Sequence, residues 1–235
     1  MITASTQTTV GDLVRLRPSF SRELEHLKID YCCGGKVSLA QACEKRGLDA
    51  NAVLATFENT GTAEATHDAP DAMDLGTLAD HIERTHHAYL REELPRLDAL
   101  TRKVSAVHGH SEPRLNEVHD CFVACREELE AHMLKEEEGL FPMIRALEGS
   151  NGAPCVSPNT LASEIETLEQ EHDDAGGALT RIRELTDDYT PPDWACNTYR
   201  AMLDGLETLE RDMHVHVHKE NSILFPKALA LEASA

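Results

Sequence analysis

The chain has 235 residues, enough for one substantial core and a small accessory unit. Its 42 acidic against 22 basic residues give a net charge of −20, a surface that repels phosphate backbones and anionic lipid and so argues against nucleic-acid and membrane-surface roles. Aromatics make up only 4% while Leu, Ala and Glu abound, which suits helices better than sheets.

The first nine residues, Met-Ile-Thr-Ala-Ser-Thr-Gln-Thr-Thr, have neither a basic n-region nor an apolar h-region, and no stretch approaches the ~20 apolar residues that span a bilayer. A soluble, cytoplasmic protein is expected. Residues 1–59 read as a small helical domain. Thr9 caps a helix expected to run through Leu13, Leu16 and Phe20 to Leu24 and Leu27. Ser38 caps a second, ended near Gly47, and Asp49 a third with Val53, Leu54 and Phe57 apolar. Between the first two lies Asp30-Tyr31-Cys32-Cys33-Gly34-Gly35-Lys36, a turn whose glycines permit left-handed backbone. There a thiolate can be exposed and stabilised near Lys36, so Cys32 and Cys33 are candidates for thiol chemistry or ligand handling, with a structural turn as the alternative.

Residues 60–73 carry little periodic apolar content and read as a linker. From there residues 74–235 form four long helical segments, roughly 74–107, 113–147, 159–187 and 193–230. They are separated by His108–Pro113, Gly149–Pro154 with Pro158, and Thr190–Asp193. Short connections between long helices predict an all-α, up-down-up-down four-helix bundle preceded by the small domain.

One stretch occurs twice in the bundle. His132-Met-Leu-Lys-Glu136 is followed by Leu140-Phe141-Pro142, and His216-Val-His-Lys-Glu220 by Leu224-Phe225-Pro226. A spacing of four puts imidazole and carboxylate one turn apart on one helix face. Any kink from Pro142 or Pro226 is expected to fall past the ligand turn. Apolar stripes lead into both pairs: Leu115, Val118, Phe122, Cys125 and Leu129 into the first, Met202, Leu206, Leu209 and Met213 into the second. Ile165 and Leu168 lead likewise to His172, and His87 shares a stripe with Leu90, Leu94 and Leu97. The bundle thus reads as two hairpins, each giving one lone His and one His-x-x-x-Glu.

Any single His is as well explained by a solvated or hydrogen-bonded role as by ligation. Polar groups at matched levels of four core stripes are not. Buried carboxylates so placed need a compensating charge, which two di- or trivalent cations supply, each carboxylate bridging and two imidazoles capping each ion. Imidazole plus carboxylate in a helical bundle suits iron best, then manganese. His81, His86, His108, His110, His119, His214 and His218 fall off the pattern and read as surface or outer residues. His86 is an alternative to His87, since it lies on a stripe with Ile82 and Tyr89. Glu171 reads as an exposed residue, with an outer proton-handling role as the alternative. Cys125 reads as a small core hydrophobe. With seven cysteines at 32, 33, 43, 121, 125, 155 and 196 and no signal peptide, no disulfide framework is expected.

These motifs resemble the iron–sulfur cluster repair di-iron proteins, the repair of iron centres family, over nearly the whole chain. The resemblance rests on Asp30-Tyr-Cys32-Cys33-Gly34-Gly35-Lys36 with Leu39-x-x-Ala-Cys, and on Leu94-Pro95 and Lys103-Val-x-x-Val107-His108. It continues through His132-Met-x-Lys-Glu136-Glu137, Glu171-His172-Asp-x-Ala-Gly176, Thr190-Pro-Pro, His216-x-x-x-Glu220-Asn221 and Leu224-Phe-Pro. It implies a hemerythrin-like bundle and selects His87 over His86, because the family's ligand stands eight residues before the proline at 95. It further implies a non-haem di-iron centre, oxo-bridged when oxidised, held by His87, His132, His172 and His216 and bridged by Glu136 and Glu220. The implied function is repair of iron–sulfur proteins damaged by nitrosative or oxidative stress, through iron donation, nitric oxide handling or both. Whether this amounts to an enzyme, with redox activity on nitric oxide, stays open at this stage, as does a homodimer. The alternative is a hemerythrin-like protein that binds or senses oxygen or nitric oxide. Ferroxidase and iron-storage roles lack the carboxylate-rich site they need.

Overall fold

The structure, a computed structural model, describes residues 4–59, 70–149 and 160–234. Residues 60–69 of the predicted linker and 150–158 of the second break, Cys155 included, lie outside them. Among the described residues four short helices come first: α1 (Val10–Leu16), α2 (Ser21–His26), α3 (Leu39–Arg46) and α4 (Ala50–Asn59). Four long ones follow. α5 runs through Leu75–Ile82, Glu83–His87 and Ala88–His108, and α6 through Arg114–Lys135, Glu136–Leu140 and Phe141–Gly149. α7 is Leu161–Leu185, and α8 runs through Asn197–Lys219, Glu220–Leu224 and Phe225–Ala233. In α5, α6 and α8 the middle stretch is a π-helical turn. The only extended pairing among the described residues is a single Thr9–Ser38 bridge. No described helix is long and apolar enough to cross a membrane.

Chain contacts divide the molecule into two compact units: Met1–Leu78 with Leu147–Pro154 and His214–Ala235, and Ala79–Ala146 with Cys155–Met213. In the first, Val10, Leu13, Phe20, Leu24, Tyr31, Leu39, Val53 and Phe57 build a small core. Phe20 meets Phe57 edge to face at 5.1 Å, and each such buried side chain contributes about 1.5–3 kcal/mol. The expected caps form. Thr9 Oγ1 accepts from Asp12 N at 3.1 Å, Ser38 and Gln41 make a reciprocal capping box, and Gly47 closes α3 at φ 67°. Asp49 Oδ1 accepts from Asn51 N at 2.9 Å.

The first helix departs from expectation. It stops at Leu16, Arg17 is extended (φ −143°), and Pro18–Phe20 forms a 3₁₀ turn before α2 starts. A residue before proline is driven out of the α region, and Leu16, expected to be apolar and inward, is 40% exposed. The same unit joins the Cys32–Cys33 turn to α8. Cβ atoms built on Gly11 and Gly35 would lie 2.8 and 3.4 Å from Ser222 Oγ, and Tyr31 sets its ring against His214 and His218, with centroids 6.0 and 5.6 Å apart.

The second unit holds the body of the bundle. α5 packs on α6 and α6 on α7. Arg183 of α7 pairs with Glu210 of α8 at 2.7 Å. A Cβ on Gly205 of α8 would stand 2.6 Å from Leu97 Cδ2 of α5, so a larger residue there would have to push the end of that side chain aside. The bundle is the predicted up-down-up-down one, and the long helices match the predicted segments within a few residues. α7 ends sooner than its Thr190-Pro-Pro break: Thr186 Oγ1 bonds back to Ile182 O at 2.8 Å, and Asp187, Asp188 and Tyr189 turn left-handed at φ 50°, 56° and 57°. α8 starts at Asn197 rather than 193, because Ala195 N donates to Pro192 O in the preceding turn.

Candidate metal centre

Three of the four long helices place one candidate ligand at a π-helical turn. Glu136 opens the turn in α6 and Glu220 the one in α8, while His87 closes the one in α5. In the first two the N–H of Phe141 and of Phe225 reaches back five residues to the carbonyl of the glutamate itself. The next residue in each case is a proline, which has no N–H to give and whose ring would strike the carbonyl four residues back. Widening the turn relieves both problems. The distortion therefore begins at the glutamates instead of falling past them as the sequence suggested. π turns of this kind recur at functional sites. His132, His172 and His216 sit in regular helix.

All six candidate side chains, His87, His132, Glu136, His172, His216 and Glu220, are at most 3% exposed. His87 Nε2 lies 3.2 Å from Glu136 Oε2, and His132 Nε2 lies 3.5 Å from the same oxygen. His172 Nε2 is 3.0 Å from His132 Nε2, and His216 Nε2 is 3.0 Å from Glu220 Oε1. One ligand atom from each of His87, Glu136, His216 and Glu220 lies within 4.8 Å of the others, and so it does for His132, Glu136, His172 and Glu220. Both glutamates belong to both groups.

Outer carboxylates set the proton positions. His87 Nδ1 is 2.6 Å from Glu137 Oε1, and His132 Nδ1 is 2.9 Å from Glu171 Oε2. Arg91 and Lys135 bind those carboxylates in turn. Burial pushes the pKa of Glu137 and Glu171 up, but hydrogen bonds and charge from Arg91 with His87, and from Lys135 with His132, outweigh it and hold both below the usual range. An ionised acceptor at Nδ1 keeps the proton there, which leaves Nε2 of His87 and His132 as lone pairs. Those lone pairs face a carboxylate oxygen and a second imidazole nitrogen.

Such a donor set suits a cation. Octahedral ligands about 2.1 Å from a metal stand about 3.0 Å apart, the spacing observed here. The buried set contains imidazole and carboxylate without thiolate, the combination favoured by iron and manganese. A carboxylate behind a ligating imidazole is the usual outer support of such sites. Glu171, read from sequence as exposed, is half-buried against His132, and Glu137, quoted only within a motif, was given no role. Its signal is faint: it neighbours Glu136 and stands four residues from Phe141 on a helix rich in acid.

His86 turns away from the site, with Nδ1 2.9 Å from Asp212 Oδ1. It and His218 are buried, each 5% exposed, where the sequence suggested surface or outer positions. Burial lowers the His218 pKa to about 4, so its ring stays neutral. His119 contacts Thr101 Oγ1 at 3.1 Å. Cys125 is core, as expected, and burial raises its thiol to about 12. Cys32 does not match the expected exposed thiolate. It is 5% exposed, and the neighbouring Cys33 thiol, burial and Asp30 all push its pKa well up.

Residues 78–228 match the hemerythrin HHE cation binding domain, and residues 6–60 match the ScdA_N domain of unknown function. The chain is 37% identical over 223 residues to the iron-sulfur cluster repair protein YtfE of Enterobacter sp. (strain 638), covering 95% of this chain and 97% of that one. It is 36% identical over 230 residues to the protein of the same name from Dickeya chrysanthemi, covering 94% and 96%. The Escherichia coli O157:H7 protein of that name is 36% identical over 223 residues, covering 95% and 97%. The buried His and Glu groups lie within the matched cation-binding domain, and the chain belongs to the family of the iron–sulfur cluster repair proteins.

Proposed function

We propose that this protein repairs iron–sulfur clusters damaged by nitric oxide or oxidants, using two non-haem iron ions held by His87, His132, His172 and His216 and bridged by Glu136 and Glu220. The observation that carries the reading is the sharing of Glu136 and Glu220 by both ligand groups in a chain whose relatives are named as cluster repair proteins. Bound iron would supply exchangeable ligand positions, one-electron chemistry and transferable metal.

The protein's own residues define what that metal experiences. Glu137 and Glu171 keep Nδ1 protonated and aim Nε2 inward. Arg91 and Lys135 hold the two carboxylates in place. His87 stacks on the fully buried Phe141 with centroids 5.8 Å apart, which keeps water from that face of the imidazole. Four imidazoles with two carboxylates also bring less negative charge than a carboxylate-rich cage, which suits metal that has to leave. Cys32 and Cys33, on the turn beside Ser222, stand as the thiols that handle iron or a small ligand on its way. Iron donation and nitric oxide handling both belong to this reading.

The test is to load the protein with iron and mix it with an aconitase-type dehydratase inactivated by nitric oxide. Recovery of client activity is expected. A client that stays inactive while the protein binds oxygen reversibly would overturn repair in favour of a carrier or sensor.

A further inference from the structure

Outside the bundle's ligand set, one cluster of metal-binding atoms stands in the Asp30–Lys36 turn. Cys32 Sγ and Cys33 Sγ are 3.8 Å apart, and Cys32 Sγ is 3.2 Å from Asp30 Oδ1. The three ligand atoms lie within 4.8 Å of one another.

The backbone holds this arrangement in place. Asp30 Oδ1 accepts from Cys32 N at 2.9 Å and Asp30 Oδ2 from Gly34 N at 2.8 Å, which fixes the carboxylate over the turn. A Cβ on Gly35 would come within 2.6 Å of Tyr31 O, so the chain can fold over the thiols only with glycine there. Tyr31 anchors the start of the turn, buried and donating its hydroxyl to Glu25 Oε1 at 2.9 Å. Cys32 faces inward, Cys33 is half-buried and Asp30 is exposed, so the cluster is roofed on one side and open on the other.

We infer that Asp30, Cys32 and Cys33 form a second, mononuclear site for a borderline-soft divalent cation of the Fe2+ and Zn2+ class. Tetrahedral thiolates about 2.3 Å from such a cation stand about 3.8 Å apart, the separation found between these two sulfurs. Two thiolates and a carboxylate select against hard Mg2+ and Ca2+, and the fourth position faces the open side. Binding exchanges protons for metal: two S–H bonds break, two metal–sulfur bonds form, and two protons leave to solvent with no change of oxidation state. The raised pKa of Cys32 means that this exchange strengthens as pH rises. The site is chemically distinct from the all-imidazole-and-carboxylate set in the bundle, and the inference stands whether or not that set holds iron.

The experiment adds Co2+ to the iron-loaded full-length protein and follows the thiolate-to-cobalt charge-transfer absorption, which a His and Glu site cannot give. One equivalent of Co2+ is expected to saturate the band, with about two protons released per ion at neutral pH. Cys33→Ser, at a half-buried position that leaves the fold intact, is expected to weaken binding about tenfold or more. The Cys32→Ser, Cys33→Ser double variant should abolish the band. Cys121→Ser and Cys196→Ser should leave it unchanged. Absence of the band in the unaltered protein, or its survival in the double variant, overturns the inference. Because bundle iron is counted separately, that outcome leaves the di-iron reading standing.

Discussion

Glu171 Oε2 stands 2.9 Å from His132 Nδ1, so the residue next to one candidate ligand fixes the tautomer of another on a neighbouring helix. Glu137, next to Glu136, does the same for His87. Adjacent positions in the sequence therefore meet the two nitrogens of one imidazole: Glu136 and Glu137 those of His87, His172 and Glu171 those of His132. Glu171→Gln keeps an acceptor for the Nδ1–H but loses its charge. We expect metal affinity to fall about tenfold to a hundredfold, seen as faster iron loss to a competing chelator at unchanged helicity. Equal retention by the variant would show that the contact plays no part in holding metal.

His132→Ala and Glu220→Ala should each bring bound iron below two per chain, measured by metal analysis after gel filtration. His110→Ala, at an exposed position, should retain the full complement. Full occupancy in both ligand variants would refute the assignment.

Removing the metal should expose the cost of burying two fully enclosed carboxylates. The iron-free protein should melt well below the loaded one. Glu136→Gln should reverse the order for the empty form, raising its stability by about 1–3 kcal/mol, while losing most of the gain on iron addition. Calorimetry on the four samples reads this directly, and an empty Glu136→Gln protein less stable than the empty wild type would contradict it.

Among the described thiols, Cys196 is the one with an acid-shifted pKa. The hydrogen bond to His108 Nε2 at 3.5 Å, helped by backbone donors from Tyr199 and Thr198, brings it to about 7. A lowered pKa means that thiolate is present above about pH 7 and lost below it, so alkylation at Cys196 should rise through that pH. Ordinary cysteines titrate near 8.5. Mass spectrometry after brief iodoacetamide treatment at pH 7 should find Cys196 labelled about tenfold faster than Cys43 or Cys125. His108→Phe should remove most of that lead at pH 7 and little of it at pH 9. Uniform labelling would show that the pairing with His108 has no effect.

The bundle was legible because its apolar stripes run uninterrupted for several turns, and a polar residue within such a stripe at four matched levels stands out. His87 over His86 was not decided by periodicity, since both lie on inward-facing stripes. Geometry separates them: His86 is drawn to Asp212 and His87 to Glu136. The break after Leu16 was written in Pro18, but a row of well-spaced leucines concealed it. Glu137 and Glu171 escaped because an acidic residue on a helix surface looks the same in sequence whether it meets water or an imidazole. The Cys32 environment was misjudged for a related reason. Glycines mark a turn, and turns are usually exposed, yet this one buries its first thiol.

The widened turns at Glu136 and Glu220 have a further consequence. Each holds one residue more than a regular turn, which rotates everything after it by roughly 100° relative to what came before. The stripe that ends in His132 and Glu136 and the stripe that resumes with Leu140, Ile144 and Leu147 are therefore out of phase with each other. Deleting Gly139, whose Cβ position meets nothing within 4 Å, would restore phase and swing Phe141 and Ile144 off the face they now fill. The half of α6 that carries His132 and Glu136 and the half that carries Phe141 and Ile144 are thus set on separate registers.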